Sequence, residues 1–222
     1  MRLLDHGFFR IGGAPRAPDS DAVGLTTMRL EHVSVNGRIV IFDYPAKGGV
    51  ERVQAVLDPA VHEVVARLRR RRSGGPQLLA YKERRRWQVL DARDVNAFIK
   101  EQAGEAFSAE DFRTWSATVL AAVGVAVAGF ADTKTGRRRA ITRATHEVAR
   151  YLGNTPTVAR DSYIDPRVFD RYRSGWTIAG VLDELGDRDG EPALQGPIEA
   201  AVIDLLTDSR SQAVVQGPPL EA

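Results

Sequence analysis

A helix that breaks and restarts within three residues most restricts how this chain can fold. Residues 140–152 carry apolar side chains at the spacing of one helix face, which predicts a helix over this range. Gly153 supplies the left-handed conformation that commonly closes a helix, and Thr155-Pro156 is typical of an N-cap followed by proline in the first turn. A second helix should therefore start at once. Asn154 and Tyr163 then lie at its two ends, and the polar residues before Tyr163 favour an accessible phenol.

A turn signal near the start of the chain predicts the architecture of that region. Asn36-Gly37 separates two β-rich runs within residues 30–44, and Asn-Gly between such runs is a strong hairpin signal. A third run, residues 50–57, follows a glycine-rich turn with Lys47 at its tip. The pattern predicts a small three-stranded antiparallel sheet.

Helical patterns dominate after this sheet. Asp58 and Asp91 are each placed to cap a helix, and Ser108 with Asp111 has the form of a capping box that opens a long helix with an apolar face. The predicted fold class is therefore α+β, mostly α, with a small three-stranded antiparallel sheet and a helical bundle.

Charge is spread unevenly along the chain. The formal net charge is +2; residues 181–222 hold nine acidic residues and two arginines, a net of −7, so residues 1–180 carry +2 − (−7) = +9. We predict a core over residues 1–178 and an acidic helical segment with a frayed end over residues 179–222. Cationic clusters occur at residues 67–72, 82–86 and 134–139. A cluster of this kind is often a solvated helix end, but three of them favour a polyanionic partner such as nucleic acid.

Composition excludes several classes of protein. There is no cysteine, and the four histidines lack a paired-ligand spacing, which argues against a metal enzyme. No apolar run approaches the roughly 18 residues of a membrane-spanning helix, and the N-terminus lacks a signal-peptide pattern. We expect a soluble, intracellular protein.

Five side chains at the edges of predicted elements suit chemistry on a phosphodiester: Arg10, Lys47, Arg113, Asn154 and Tyr163. Two guanidinium groups can hold the non-bridging oxygens of a phosphate, and an amide can add one more hydrogen bond. A lysine at a hairpin tip can protonate a departing alkoxide, and a tyrosine hydroxyl can act as an oxygen nucleophile.

Five motifs, in order across about residues 1–175, resemble the catalytic domain of bacterial type IB DNA topoisomerases. They are Phe9-Arg-Ile-Gly-Gly13, Gly24-Leu-Thr-Thr-Met-Arg-Leu-Glu-His-Val33, Asp43-Tyr-Pro-Ala-Lys-Gly-Gly49, Asp111-Phe-Arg-Thr-Trp115, and Leu152-Gly-Asn-Thr-Pro156 with Tyr163. The resemblance implies that Tyr163 forms a 3′-phosphotyrosyl link, and that Lys47 protonates the departing 5′ oxygen. The phosphorane would be stabilised by Arg10, Arg113 and Asn154. It also implies relaxation of supercoiled DNA without ATP, metal or another cofactor.

The resemblance further implies double-stranded DNA as partner, a monomer, no membrane association, and a cytoplasmic location at the bacterial nucleoid. Four more residues are expected to contact DNA: Arg16, Arg29, His32 and Arg160. Members of the family carry a β-rich N-terminal clamp domain before this region. We expect the chain to be the catalytic half alone, gripping DNA from one side with strongly salt-dependent affinity and with an activity that the missing clamp can impair.

Three positions depart from the family pattern. Asn154 stands where many relatives have His, so we expect a lower cleavage rate because an amide carries no positive charge. Glu110 stands where Lys is common, which removes a second proton donor. Arg16 lies in an altered loop, residues 13–23, at the place of a phosphate-contacting Tyr.

Two other functions fit part of the pattern. Tyrosine recombinases and integrases share the Arg, Lys, Arg, Tyr order, although they usually carry His where Glu110 stands. A DNA-binding fragment without catalytic activity is the second alternative. The motifs around Gly24 and Asp111 favour the topoisomerase.

Overall fold

The computed structural model describes residues 1–13, 22–47, 49–184 and 196–217. The chain divides into two compact units: unit 1 comprises Met1–Asp5 and Phe9–Asp111, and unit 2 comprises His6–Phe8 and Phe112–Ala222. The described residues are mostly helical with one three-stranded antiparallel sheet, which confirms the predicted fold class. The separate prediction of a boundary at residue 178 stays a prediction.

Unit 1 combines the sheet with short helices and a second hairpin. Its elements are α1 (Arg2–Asp5), a 3₁₀ turn (Leu30–His32), β1 (Val33–Asn36), β2 (Ile39–Ala46), β3 (Val50–Val56), α2 (Pro59–Arg69), β4 (Ala80–Glu83), β5 (Arg86–Val89) and α3 (Ala92–Ala103). The sheet order is β1-β2-β3, with Asn36 opposite Ile39 across the Asn-Gly turn. On β2, Phe42 is fully buried and meets the ring of Phe9 edge-on at 4.9 Å, so Phe9 fixes the segment before Arg10 onto the sheet.

The cap of α2 is formed as the sequence predicted. The Asp58 carboxylate accepts hydrogen bonds from the backbone N–H groups of Ala60 (2.8 Å) and Val61 (3.0 Å) and from the Arg2 guanidinium (3.0 Å). Burial acts to raise the pKa of Asp58, but the bonds from Val61, Arg2 and Ala60 outweigh it and hold that pKa below its usual value. Asp58 therefore stabilises the start of α2 in its ionised form.

Unit 2 is a helical bundle. Its elements are the greater part of α4 (Ala109–Val127), α5 (Lys134–Leu152), α6 (Pro156–Ser162), α7 (Pro166–Arg173), β6 (Trp176–Thr177), a 3₁₀ turn (Ala179–Glu184), α8 (Pro197–Thr207) and β7 (Val215–Gln216). Apolar residues from all five helices form one buried cluster. Gly124 on α4 packs so closely on α5 that an added Cβ would lie 3.0 Å from the Cβ of Ala144.

Three details differ from the sequence predictions. Residues Leu30–His32 form a 3₁₀ turn, so the first strand begins at Val33 rather than at residue 30. The β4–β5 hairpin was not predicted, because its tip lacks the usual turn residues. The predicted frayed end is wrong for Val215–Gln216, which pairs with Trp176–Thr177 as a short antiparallel strand.

Candidate active site

The predicted break between two helices is present and is closed by backbone hydrogen bonds. Gly153 adopts the left-handed conformation (φ 66°, ψ 48°), and its N–H donates back into the last turn of α5. The N–H of Asn154 donates to the carbonyl of Ala149 at 2.8 Å. Thr155 then caps α6 by accepting from the N–H of Val158 at 3.3 Å. Glycine is needed at 153 because a side chain would strain this backbone conformation.

Arg113 stabilises this break through buried hydrogen bonds. Its side chain is fully buried, with 0% exposure. The guanidinium donates to the carbonyls of Gly7 (3.2 Å), Phe8 (2.9 Å) and Leu152 (3.1 Å). These bonds join the start of α4 to the last residue of α5 and to the segment that immediately precedes Phe9 and Arg10 in sequence. A buried guanidinium with several carbonyl partners is a strong tie between chain segments, since the charge strengthens each bond.

Tyr163 packs against the same guanidinium. The Cζ atom of Arg113 lies 5.2 Å from the centroid of the Tyr163 ring, within the range of a cation–π contact. Only 8% of Tyr163 is exposed, so the prediction of an accessible phenol was wrong. The polar residues Arg160-Asp161-Ser162 are exposed as expected, but Tyr163 caps the end of α6, and its ring belongs to the buried cluster of unit 2.

Thr118, on the second turn after Arg113, contacts the backbone that directly follows the ring of Tyr163. This residue is 2% exposed. Its hydroxyl lies 3.3 Å from the carbonyl oxygen of Tyr163 and accepts from the N–H of Asp165 at 3.1 Å. Sequence reasoning missed Thr118; the available signal was a hydroxyl in the apolar stretch of α4, one helical turn after Thr114, whose carbonyl it also contacts at 2.9 Å.

Arg10, in unit 1, lies on a segment fixed by the Gly24-Leu-Thr-Thr motif. The N–H of Leu25 donates to the carbonyl of Arg10 at 2.7 Å, and Thr26 donates to the next carbonyl through both its N–H (2.9 Å) and its hydroxyl (3.0 Å). The two segments approach so closely that a Cβ on Gly24 would lie 2.3 Å from the Cα of Gly12. The first two motifs thus pack together and set the backbone of Arg10, which is half-buried.

Lys47 stands where the sequence placed it, on the turn that follows β2 in unit 1. It is exposed, and the turn is closed by the N–H of Gly49, which donates to the carbonyl of Ala46 at 3.2 Å. An exposed amine at a hairpin tip can reach a bound ligand without displacing packed side chains.

The four residues predicted to contact DNA differ in their surroundings. Arg29 is exposed and forms an ion pair with Glu31 at 2.7 Å, and His32 is half-buried and accepts from the N–H of Arg29 at 3.1 Å. Arg160 is exposed on α6. Arg16 lies outside the described residues. Contact with DNA stays a prediction for all four.

The candidate residues therefore fall into two groups. Arg113, Asn154 and Tyr163 belong to unit 2, where Arg113 contacts both the last residue of α5 and the ring of Tyr163, whereas Arg10 and Lys47 belong to unit 1. Their chemical roles stay predictions. Among the described residues, no group of three histidines or carboxylates is placed to hold a metal ion. No described helix combines the length and the apolar character that crossing a bilayer requires.

Comparison with known proteins gives two matches. Residues 1–181 match the family model described as the catalytic core of eukaryotic DNA topoisomerase I. The chain is also 21% identical over 173 residues to a protein named DNA topoisomerase 1B from Acanthamoeba polyphaga mimivirus, a match that covers 74% of this chain and 51% of the relative. The chain thus spans about half the length of this viral relative. Both matches support the type IB assignment made from the motifs; a bacterial origin stays a prediction.

Proposed function

This chain belongs to the family of the eukaryotic DNA topoisomerase I catalytic core, and from this premise we propose that it relaxes supercoiled duplex DNA by cutting and rejoining one strand. One observation carries the proposal. The guanidinium of Arg113 lies 5.2 Å from the ring of Tyr163 at the end of α6, and it is held by a hydrogen bond to the carbonyl of Leu152 at the end of α5. A fixed cation beside a tyrosine is suited to a reaction in which a phenol oxygen attacks an anionic phosphate.

The proposed cleavage step is an exchange of one phosphate ester for another. The phenol of Tyr163 loses its proton to solvent and its oxygen forms a bond to phosphorus, while the bond from phosphorus to the 5′ oxygen breaks. Lys47 gives a proton to that oxygen, which leaves as a 5′-hydroxyl. The product is a 3′-phosphotyrosyl link that retains the ester bond energy. Attack by the 5′-hydroxyl reverses the step and reseals the strand, so neither ATP nor a metal ion is needed.

Charge stabilisation is assigned to three further side chains. The resemblance of the motifs assigns Arg10 and Arg113 to the non-bridging oxygens, where planar guanidinium groups match phosphate geometry. Asn154 adds a neutral hydrogen bond at the N-terminal end of α6. Because an amide lacks the charge of a protonated histidine, its contribution to the transition state should be smaller than a cation would give.

The two central side chains are buried, and the proposed reaction requires them to become accessible. Arg113 has no exposed surface and Tyr163 only 8%. We propose that a bound duplex displaces α6, which is seven residues long, and turns the phenol toward the phosphate. The bonds of Arg113 to Gly7 and Phe8 can persist in this movement, because they do not involve α6.

Relaxation of supercoiled plasmid tests the proposal directly. The full chain is incubated with plasmid in excess chelator and without ATP, and Tyr163→Phe serves as the matched control because it keeps the buried ring and removes only the hydroxyl. We expect a ladder of topoisomers from the wild-type chain and none from Tyr163→Phe. Binding without relaxation would identify a non-catalytic DNA-binding fragment, and products joined only at paired specific sites would identify a recombinase. Both outcomes would overturn the proposal.

We propose that the chain binds double-stranded DNA as a monomer and at the nucleoid, as the motifs imply. Sedimentation of the chain with a short duplex should give one protein per duplex; a stoichiometry of two or four would favour the assembled complexes of recombinases.

A further inference from the structure

The tip of the β4–β5 hairpin has an unfavourable backbone for the residues that occupy it. Glu83 pairs with Arg86, leaving Arg84 and Arg85 as a two-residue turn. Both turn residues have positive φ, 43° for Arg84 and 72° for Arg85. Two-residue turns with this conformation favour Asn-Gly or Asp-Gly, because a side chain beyond Cβ is strained there. Folding alone therefore does not explain two arginines at this tip.

Their charges are directed to solvent rather than used within the protein. Arg84, Arg85 and Arg86 are all exposed. Within the described part of the chain none of the three forms an ion pair or a side-chain hydrogen bond, although Glu83 lies next to them. Three unneutralised guanidinium groups on one short hairpin repel each other, so their presence points to an anionic partner.

The hairpin packs against the loop that follows α2. The ring of Trp87 lies 5.8 Å from the Arg71 guanidinium and 5.4 Å from the Lys82 amine. Arg71 also donates to the carbonyls of Leu78 (2.6 Å) and Gly75 (3.3 Å). A Cβ on Gly74 would lie 2.4 Å from the Cβ of Trp87, so the loop after α2 packs directly on this ring. Arg71 thus has a structural role, and the hairpin is held by packing against the loop after α2, with its tip exposed.

The neighbouring end of α2 adds charge of the same sign. Arg69, Arg70 and Arg72 flank Arg71 and are exposed, and they form no ion pair among the described residues. The positive charge around Trp87 therefore extends from the hairpin into the end of α2.

We propose that the β4–β5 hairpin is a second duplex-DNA contact, in which Arg84 and Arg85 bind backbone phosphates apart from the residues that act on the scissile phosphate. The partner follows from the proposed function, on which this inference rests: a DNA-relaxing chain handles a regular array of phosphates, and guanidinium groups bind phosphate through paired hydrogen bonds. The contact reads no base sequence, because phosphates carry none.

The conflict between turn chemistry and charge makes the proposal testable. In Arg84→Asn/Arg85→Gly the tip receives the residues its backbone prefers. We expect the midpoint of thermal unfolding to rise by roughly 2–4 °C as the turn strain is removed. DNA affinity should fall in the same variant, so that stability and binding change in opposite directions.

Binding is measured by fluorescence anisotropy with a labelled duplex of about 30 base pairs over about 50 to 200 mM salt. All proteins carry Tyr163→Phe, so that only non-covalent binding is recorded. Loss of two phosphate contacts should make the slope of log affinity against log salt less steep by about 1.8. The affinity at about 0.1 M salt should fall by roughly 10- to 60-fold. Arg84→Lys/Arg85→Lys should retain most of the salt slope and most of the affinity, since the charges remain.

A charge-matched control separates a local contact from net charge. Arg93→Gln/Lys100→Gln also removes two cations from unit 1, on α3, where each is paired with a carboxylate. This control should bind within about twofold of the parent. An unchanged salt slope in Arg84→Asn/Arg85→Gly would overturn the proposal. Equal losses of DNA affinity in that variant and in the α3 control would also overturn it.

The proposed function fails by a different measurement. Covalent capture by chains that retain Tyr163 reports on that function, whereas the salt slope reports on the hairpin. When the protein is at a concentration that saturates the DNA, Arg84→Asn/Arg85→Gly in a chain that retains Tyr163 should still form the covalent adduct. Absence of any adduct from the wild-type chain would refute the proposed function while leaving the salt-slope result to decide on the hairpin.

Discussion

Removing the Arg113 guanidinium should destabilise unit 2, independently of any effect on DNA cleavage. Arg113→Met keeps most of the volume of the side chain but leaves the carbonyls of Gly7, Phe8 and Leu152 without their buried donor. Each bond to a charged group contributes about 1.5 kcal/mol or more, and a buried acceptor left unpaired costs about 1–3 kcal/mol. Part of this loss is offset because a buried cation no longer has to be desolvated. We expect a net loss of about 3 kcal/mol in the free energy of unfolding.

Urea unfolding, followed by tryptophan fluorescence, measures this loss; one of the three tryptophans, Trp115, lies two residues further along α4. Arg113→Lys should be intermediate, because one amine cannot reach all three carbonyls. The exposed Arg160, on α6, provides the control: Arg160→Met should change stability by no more than about 0.5 kcal/mol. If Arg113→Met unfolds within about 1 kcal/mol of the wild type, the three bonds do not stabilise the unit as argued. Loss of DNA cleavage in such a variant would then be attributable to chemistry alone.

Three further predictions concern other positions. Lys47→Ala should slow strand cleavage about 10²- to 10⁴-fold. A substrate with sulfur in place of the departing 5′ oxygen should restore the rate, because a thiolate leaves without a proton. Equal slowing on both substrates would exclude Lys47 as the acid. Thr118→Val should lower the free energy of unfolding by about 1–3 kcal/mol by leaving the N–H of Asp165 and the carbonyl of Tyr163 without their contacts, and an unchanged urea midpoint would show that those contacts contribute nothing. The pKa of Asp58 is lowered in the folded chain, so its stabilising effect is present above the unfolded pKa of about 3.9 and is lost as pH falls through the lower folded value. Asp58→Ala should therefore flatten the acid limb of a stability–pH curve, and a limb of unchanged steepness would contradict this.

Local signals in the sequence were sufficient for the elements that depend on neighbouring residues. Asn36-Gly37 gave the first hairpin, Asp58 gave the start of α2, and Gly153 with Thr155 gave the break between α5 and α6. In each case one or two side chains satisfy or permit a backbone conformation within about four residues. Such requirements can be read without knowing the rest of the fold.

Features that depend on distant residues could not be predicted in the same way. The burial of Tyr163 results from packing against Arg113 and the core of unit 2, although the three residues before it are polar and exposed. The Arg84-Arg85 turn contradicts the preference that a hairpin prediction relies on, so the second hairpin was missed. Pairing of Val215–Gln216 with Trp176–Thr177 joins segments about forty residues apart, which no local pattern announces.

The site itself was predictable as a set of residues but not as a geometry. The motifs identified Arg113 and Tyr163 together, and the structure places the guanidinium of one against the ring of the other. It also gives Arg113 three carbonyl partners, which the motifs did not indicate. A sequence does not distinguish a charged side chain that has a chemical role from one that has a structural role. The contacts in the structure are needed to tell the two roles apart.

Covalent capture on DNA tests the central claim most directly. The chain is incubated with a nicked oligonucleotide duplex labelled on one strand, so that cleavage beside the nick releases a short fragment and prevents resealing. We expect protein joined to the 3′ side of the break, a peptide adduct that maps to Tyr163, and no adduct from Tyr163→Phe. An adduct on the 5′ side, an adduct on another residue, or capture by Tyr163→Phe as efficient as by the wild type would contradict the account.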